Sequence, residues 1–312
     1  MRIGLIGAGG ISDTHARAAA AIDGVRIVAI QGANRERAAA LAARYGAAEC
    51  GTLEEFFAQP MDLVAIGSPS GLHADQAMTA IRRGVHVLVE KPLDISSDKI
   101  DLLIAEADRF RIIVGVCFQD RLTPDLLAMK REMEAGKIGT PVSISGRVKW
   151  YRPPEYYSGS RWRGTRNLDG GGVLMNQAIH TVDTLLWLFG PVARVSGRVA
   201  TRLHRIDVED TALALLEFES GALGVIEAST ASFPGLPRRV EATGTAGTLV
   251  HEQEARPALV ADAMPHQRIF EDFIGAVRTA GTPACDAREG RRSVALVEAI
   301  YRSAKTGGWE TP

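Results

Sequence analysis

Two side chains of the sequence combine types and positions that suit chemistry on a hydroxyl group. Lys91 comes two residues after a strand-like run, 85–89, so it would lie at the carboxyl edge of a sheet. His180 follows Asn176 by four residues, on a segment that three glycines introduce. A neutral imidazole accepts a hydroxyl proton near neutral pH, and an ammonium group stabilises negative charge on oxygen. Taken alone, such a lysine is usually solvated and such a histidine usually structural.

A glycine-rich turn near the start of the chain is a second chemical feature. It joins the apolar run 2–6 to an Ala-rich stretch that favours a helix. The pattern is G-x-G-x-x-G, except that the small residue Ser12 takes the last place. Because a helix N-terminus offers unpaired N–H groups to anions, the turn predicts binding of a dinucleotide pyrophosphate. The residues of the turn are Gly7, Gly9, Gly10 and Ile11.

The end of the second predicted strand bears on which dinucleotide binds. In NAD-binding chains a carboxylate at this point binds the ribose 2′-hydroxyl, and no acid stands here where the strand ends. Gly32 leaves space, and Asn34 can donate a hydrogen bond. Arg35 or Arg37 can meet a 2′-phosphate. The segment therefore favours NADP(H) and leaves NAD(H) open, unless both arginines only decorate the following helix.

The elements that must position these residues change in rhythm along the chain. Over residues 1–121, short apolar runs alternate with helical stretches, which predicts an α/β domain with a doubly wound parallel sheet of the Rossmann type. Over residues 122–312, a glycine-led helix at 173–189 precedes several alternating strands and two terminal helices. This order predicts a second, C-terminal α+β domain on an antiparallel sheet.

Composition narrows the class of protein. The chain of 312 residues has a formal net charge of −1, which fits two domains and predicts no nucleic-acid partner. It holds no apolar run of about 18 residues, so we expect no membrane span. A first strand directly after Met1 leaves no room for a signal peptide, so we expect a cytoplasmic protein. The three cysteines are isolated and suggest neither zinc nor disulfides.

An aromatic and basic segment, residues 150–166, is a candidate for ligand binding. It contains Arg152, Tyr156, Trp162 and Arg163. Arginine binds carboxylate or phosphate through two N–H groups, and aromatic rings stack on flat ligands, so the segment suits an anionic, ring-bearing ligand. A contact between domains or subunits accounts for the same composition, and both interpretations stay open.

Together these motifs resemble the Gfo/Idh/MocA oxidoreductase family over essentially the whole chain. The matching residues are Gly7–Ile11, Glu90-Lys91-Pro92-Leu93, and Gly170–Gly172 followed by Asn176 and His180. The resemblance implies that Lys91 and His180 flank the reacting carbon. It also implies that the C-terminal domain has an open, mostly antiparallel sheet and binds the substrate. It further implies assembly into homodimers or homotetramers through that sheet. Many members carry aspartate where this chain has Asn176.

The implied reaction is hydride transfer between a nicotinamide and a secondary alcohol carbon of a sugar, sugar acid, nucleotide sugar or cyclitol. The catalytic residues would be Lys91, His180 and Asn176. Further cofactor-binding positions by resemblance are Ser68, Pro69, His73, Glu90, Lys91, Trp162 and Arg163. Substrate-binding positions are Lys91, Gln119, Arg121, Arg152, Tyr156, Arg163, Asn176, Gln177 and His180.

Alternatives within the same superfamily stay open. The stretch from Trp162 to His180 most resembles the branch that oxidises UDP-N-acetylglucosaminuronic acid at C3. A glycosidase that uses tightly bound NAD and a non-enzymatic dinucleotide-sensing regulator share the fold, although the presence of both Lys91 and His180 argues against the regulator. Asp183, about one turn after His180, either orients the histidine or braces the fold.

Overall fold

The computed structural model describes residues 1–254 and 262–312, which divide into two compact units. The first unit consists of Met1–Asp94, Asp98–Leu122 and Ala258–Gly290, and the second of Ile95–Ser97, Thr123–Pro257 and Arg291–Pro312. One junction falls within a residue of the predicted division into 1–121 and 122–312. The sequence did not predict the return of the late segment to the first unit.

The N-terminal part of the chain alternates strands and helices as predicted. The elements are β1 Arg2–Ile6, α1 Gly10–Ala20, β2 Arg26–Gln31, α2 Arg35–Tyr45, β3 Ala48–Cys50, α3 Leu53–Phe57, β4 Leu63–Ile66, α4 His73–Ile81, β5 His86–Val89, α5 Ser97–Phe110 and β6 Val114–Val116. Among the described residues they form a parallel sheet in the order β3-β2-β1-β4-β5-β6. This is the doubly wound Rossmann order, and the predicted fold class is confirmed.

The remaining elements build a second sheet and end in two long helices. They are α6 Pro124–Glu134, β7 Pro141–Lys149, α7 Glu155–Ser158, α8 Ile179–Phe189, β8 Val192–Ala200, β9 Thr211–Phe218, β10 Leu223–Ser229, β11 Arg238–Gly244, β12 Gly247–Gln253, α9 Met264–Thr279 and α10 Ala287–Thr306. The described strands pair in the order β12-β11-β7-β10-β9-β8. Only β7 and β10 run parallel within it, so the sheet is mostly antiparallel, as expected.

Core packing explains why α9 belongs to the first unit. Its residues Phe270 and Phe273 are fully buried in one cluster with Ile3 and Leu5 of β1. Gly115 on β6 makes room for the helix, because a Cβ there would lie 2.5 Å from the Phe273 ring. Burying each such side chain contributes roughly 1.5–3 kcal/mol, so the pairing of α9 with this sheet is strongly stabilised.

The sheet of the second unit has one covered face and one open face. On the covered face, a Cβ on Gly146 would lie 2.5 Å from Thr181 of α8. On the open face, the strand alternation leaves Leu213, Leu215 and Leu223 54%, 56% and 57% exposed. The chain by itself therefore presents an apolar sheet surface to solvent.

Candidate active site

The glycine turn after β1 is shaped by the fold on one side and open on the other. Gly7 has a φ of +116°, and a Cβ there would lie 2.6 Å from the carbonyl oxygen of Gly67, so only glycine fits. A Cβ on Gly9 or Gly10 would meet no described atom within 4 Å. The helix α1 begins at Gly10, and no side chain caps it. This open cradle of N–H groups fits the pyrophosphate of a dinucleotide.

In the loop after β2, two residues predicted to bind the ligand, Asn34 and Arg35, form hydrogen bonds within the protein. Asn34 caps α2, because its side chain accepts a hydrogen bond from the Arg37 amide at 2.9 Å. Arg35 donates from Nε and Nη2 to the carboxylate of Glu49, at 2.6 and 3.0 Å. The side chain of Arg37 lies exposed on the first turn of α2. The predicted preference for NADP(H) therefore loses one of its two arginines, whereas the cap leaves the Nδ2 donor of Asn34 unused.

The loop that carries Lys91 is tied to the loop after β4. His73 contacts the carbonyl oxygen of Pro92 through Nδ1 at 2.8 Å and that of Ser68 through Nε2 at 2.9 Å. These two contacts hold the His73 ring between the two loops. His73 is buried, as expected for a residue that joins two loops rather than one that contacts a ligand through its ring. Pro69 directly follows Ser68 in the loop after β4. The Lys91-Pro92 peptide is cis.

Glu90 and Arg121, which the sequence predicts to bind cofactor and substrate, both have partners within the first unit. The buried Glu90 carboxylate contacts His15 and His266 and accepts the Lys91 amide at 3.1 Å. Arg121 is buried and donates to the Glu289 carboxylate at 3.0 Å. Their assignments to cofactor and substrate binding stay predictions.

Gln119 differs from its neighbour Arg121. Its Oε1 is buried and accepts no hydrogen bond from the residues that the structure describes. A buried acceptor of this kind is costly unless a donor satisfies it, so Gln119 remains a candidate for binding a hydroxyl group.

In the second unit, the aromatic and basic segment forms a stacked cluster. The guanidinium of Arg163 lies 4.5 Å from the ring centre of Tyr156, and that of Arg152 lies 5.4 Å from the same ring. Arg152 donates from Nη2 to Gln177 Oε1 at 2.9 Å. The Nε atoms of both arginines are buried and have no hydrogen-bond acceptor among the described residues. The cluster, which also includes the predicted residue Trp162, therefore holds two charged donors that no described acceptor uses.

The histidine segment departs from the single helix predicted for 173–189. A π-helical turn, Val173–Gln177, precedes α8, and His180 lies in the first turn of α8. Asn176, Gln177 and His180 are partly exposed on a segment that is otherwise buried up to Leu186. The broken helix thus presents these three predicted polar residues and buries its apolar neighbours.

Two acidic residues hold this segment, and neither was predicted from the sequence. Glu209 accepts the amides of Gly172 and Leu174, each at 2.9 Å, and the Tyr301 hydroxyl at 2.8 Å. Burial raises the pKa of Glu209 above its ordinary value, although these hydrogen bonds oppose the effect. The signal available in the sequence was an acidic residue just before β9, but the two amides that it binds lie 37 and 35 residues away in the chain.

Asp169 is the second of these residues. It accepts the Gly164 amide at 2.8 Å and Asn176 Nδ2 at 2.6 Å. Asn176 Oδ1 in turn accepts from Gln177 Nε2 at 3.0 Å, so the amide group is oriented from both ends. Asp183 accepts the Ser293 hydroxyl of α10 at 3.3 Å and is buried, which supports the bracing role.

Comparisons with known proteins agree with the predicted family. Residues 1–118 match the model described as an oxidoreductase family with an NAD-binding Rossmann fold. Residues 126–250 match the GFO/IDH/MocA C-terminal domain. The chain belongs to the GFO/IDH/MocA oxidoreductase family.

Relatives within this family act on sugars and cyclitols. A solved structure of the WlbA dehydrogenase from Bordetella pertussis, in complex with NADH and UDP-GlcNAcA, is 34% identical. It has a TM-score of 0.92 and covers 100% of this chain and 98% of its own. The 1,5-anhydro-D-fructose reductase of Ensifer adhaerens is 28% identical over 98% of this chain and 97% of the relative. An inositol 2-dehydrogenase of Rhizobium meliloti (strain 1021) is 27% identical, over 97% and 96%.

A helix can cross a bilayer only when it is both long and apolar. Within residues 1–254 and 262–312, none of the helices is both long and apolar enough to cross a bilayer.

Proposed function

We propose that the protein is a nicotinamide-dependent dehydrogenase that transfers hydride between the cofactor and a secondary alcohol carbon of an anionic sugar. The observation that carries the redox part is the open cradle at Gly9 and Gly10, where the fold itself gives no reason for glycine. Family membership supports the same reaction class. The nicotinamide, when bound, supplies the two-electron step.

The proposed catalytic residues divide the proton work. In the oxidative direction, His180 takes the hydroxyl proton and Lys91 stabilises the negative charge that grows on the oxygen. Of the three partly exposed side chains on the histidine segment, His180 is the one that can take up a proton, because Asn176 and Gln177 end in amides. Asn176, fixed between Asp169 and Gln177, orients the substrate.

The proposed substrate carries an oxyanion that Arg152 and Arg163 bind. Their buried, unused Nε donors support this class, because an unsatisfied charged donor is costly without a ligand. UDP-GlcNAcA, the ligand of the Bordetella pertussis WlbA dehydrogenase, carries both a carboxylate and a diphosphate. Three ligands distinguish binding of the carboxylate from binding of the diphosphate: UDP-GlcNAcA, UDP-GlcNAc, which has a neutral sugar, and free glucuronate. If the arginines bind the carboxylate, Arg163→Ala should weaken the binding of UDP-GlcNAcA and glucuronate. If they bind phosphate, it should weaken the binding of UDP-GlcNAcA and UDP-GlcNAc.

We assign the preference between NAD(H) and NADP(H) to the ion pair of Arg35 with Glu49. While Glu49 occupies the guanidinium, its negative charge disfavours a 2′-phosphate and NAD(H) is the better ligand. If the 2′-phosphate displaces Glu49, NADP(H) binds as the sequence predicted. Titration of the apoprotein with each dinucleotide decides between these cases.

Turnover of a His180→Ala variant tests the reaction. We expect a loss of about 10²–10⁴-fold, the usual contribution of a general base, with dinucleotide binding kept within about twofold. Full turnover would refute the role of His180. Net cofactor reduction also separates the proposal from its rival, because glycoside cleavage without net reduction would identify the NAD-dependent glycosidase.

We further propose that the protein is a cytoplasmic homodimer or homotetramer that self-associates through the open sheet face. The exposed leucines 213, 215 and 223 support this surface, since a monomer rarely exposes such a patch. Sedimentation of a Leu213→Lys, Leu215→Lys double variant should show monomers. Leu102→Lys is a matched control, because Leu102 is 62% exposed on α5.

A further inference from the structure

A buried polar cluster in the first unit lies directly behind the proposed catalytic lysine. His15 of α1 contacts Glu90 Oε1 through Nε2 at 2.9 Å, and His266 of α9 contacts the same oxygen through Nε2 at 3.2 Å. Cys117, just after β6, places its sulfur 3.9 Å from His15 Nε2. All four side chains are buried. Neither histidine has a role in the reaction described so far.

Hydrogen-bond chemistry fixes the direction of these contacts. An ionised carboxylate only accepts, so both histidines donate their Nε2–H to Oε1. The other oxygen, Oε2, accepts the Lys91 amide at 3.1 Å. Burial acts to raise the pKa of Glu90, but hydrogen bonds and charge interactions with His15 and His266 together outweigh it, and the pKa lies well below its ordinary value. Glu90 is therefore a buried anion at neutral pH.

Titratable side chains from several elements surround Glu90. Burial lowers the pKa of His15, so its ring is neutral near pH 7, and His73 of α4 acts in the same direction. Burial raises the pKa of the Cys117 thiol well above its ordinary value, while the charge of Lys91 acts to lower it. Glu90 carries the negative charge of the cluster, and the neighbouring Lys91 donates its backbone amide to that carboxylate.

We propose that His15 and His266 are positioning residues for Lys91, acting through the carboxylate of Glu90. The two imidazole N–H groups keep Glu90 ionised in a buried place. Its Oε2 fixes the Lys91 amide, and its negative charge favours the ammonium form of Lys91. The inference rests on the proposed catalytic role of Lys91, because only an ammonium group can stabilise a growing oxyanion as described.

The experiment titrates Lys91 in the protein without substrate, using lysine labelled with ¹³C at Cε and assigned with Lys91→Arg. Glu90→Gln should lower the alkaline midpoint of Lys91 by about one pH unit, the usual effect of one neighbouring charge. The alkaline limb of the kcat profile should move with it. An unchanged midpoint in Glu90→Gln would overturn the inference.

Paired substitutions separate positioning from packing. His15→Gln and His266→Gln keep an N–H donor near the original Nε2, so we expect the wild-type Lys91 midpoint. His15→Leu and His266→Leu remove the donor and should lower it. Equal midpoints in the Gln and Leu members of both pairs would overturn the inference. His86→Gln is a control, because His86 begins β5 and accepts the Ile113 amide instead. If the Leu variants fail to fold, Glu90→Gln alone decides.

Two further measurements distinguish the positioning role from a failure of the proposed reaction and from a metal site. Full turnover of Lys91→Met would refute the proposed function, whereas an unmoved midpoint refutes only the positioning role. The ligand atoms of His15, Glu90 and Cys117 also lie within 4.8 Å of one another, close enough to hold a metal ion. The protonated thiol and the hydrogen-bond distances favour the hydrogen-bonded form. One equivalent of zinc in the purified protein, lost in Cys117→Ser, would overturn the inference.

Discussion

The loop after β2 and the aromatic and basic segment 150–166 both carry arginines where the sequence predicts an anion, and they differ in how these arginines are bonded. Arg35 has a carboxylate, Glu49, across its Nε and Nη2 donors. Arg152 and Arg163 stack on Tyr156, and their Nε atoms have no acceptor within the described residues. We infer that an arginine indicates a ligand site when it stacks on an aromatic ring and its donors are not bound by an acidic side chain of the protein.

The largest effect that separates the two regions comes from removing one stacked arginine. Arg163→Ala should raise the KM for an anionic sugar about 10- to 100-fold, since a hydrogen bond to a charged group contributes roughly 1.5–3 kcal/mol. The kcat should change far less, because Arg163 has no proposed role in proton or hydride transfer. Steady-state kinetics with UDP-GlcNAcA measures both values. Arg35→Ala is the matched control, and a similar rise in its KM would erase the distinction between the two regions.

A smaller effect is expected when the acid is removed from the paired arginine. Glu49→Gln frees the Arg35 guanidinium, so binding of NADP(H) should strengthen severalfold while binding of NAD(H) stays nearly constant. The side chain of Arg35 is 64% exposed, so solvent screening limits the change. Calorimetric titration with each dinucleotide checks the result. A variant that binds NADP(H) no better than the wild type would show that Arg35 does not reach the 2′-phosphate.

The smallest effect concerns the neighbour of the stacking tyrosine. Tyr157 donates to or accepts from the Thr230 hydroxyl at 3.0 Å, and burial raises its pKa from 10.0 to about 12. The raised pKa means that the neutral form stabilises the fold fully below pH 10 and that this contribution disappears as the pH rises through 12. Wild-type stability to urea should therefore fall between these pH values, and Tyr157→Phe should flatten the fall. An unchanged slope would place the ionisation elsewhere.

Much of the first unit follows from local pattern. Short apolar runs separated by helices predict the parallel sheet, and the position of the glycine turn after β1 predicts the cradle. Lys91 is placed correctly because a strand end fixes its location without reference to the rest of the chain.

Residues with distant partners could not be predicted in the same way. The sequence around Arg35 gives no sign that β3 brings Glu49 beside it, because the pair depends on strand order. Likewise, the periodicity of 173–189 predicts a straight helix, whereas the structure has a π-helical turn where the distant Glu209 accepts two amides. The amphipathic pattern of α9 predicts a buried face but does not say which sheet buries it.

The most direct test of the proposed function is the rate of cofactor reduction with UDP-GlcNAcA, compared between the wild type and Arg163→Ala at a subsaturating sugar concentration. We expect the wild type to produce NADH and the variant to be slower by about 10- to 100-fold, with dinucleotide binding unchanged. Equal rates, or no reduction of the nicotinamide by the wild type with any anionic sugar, would contradict it.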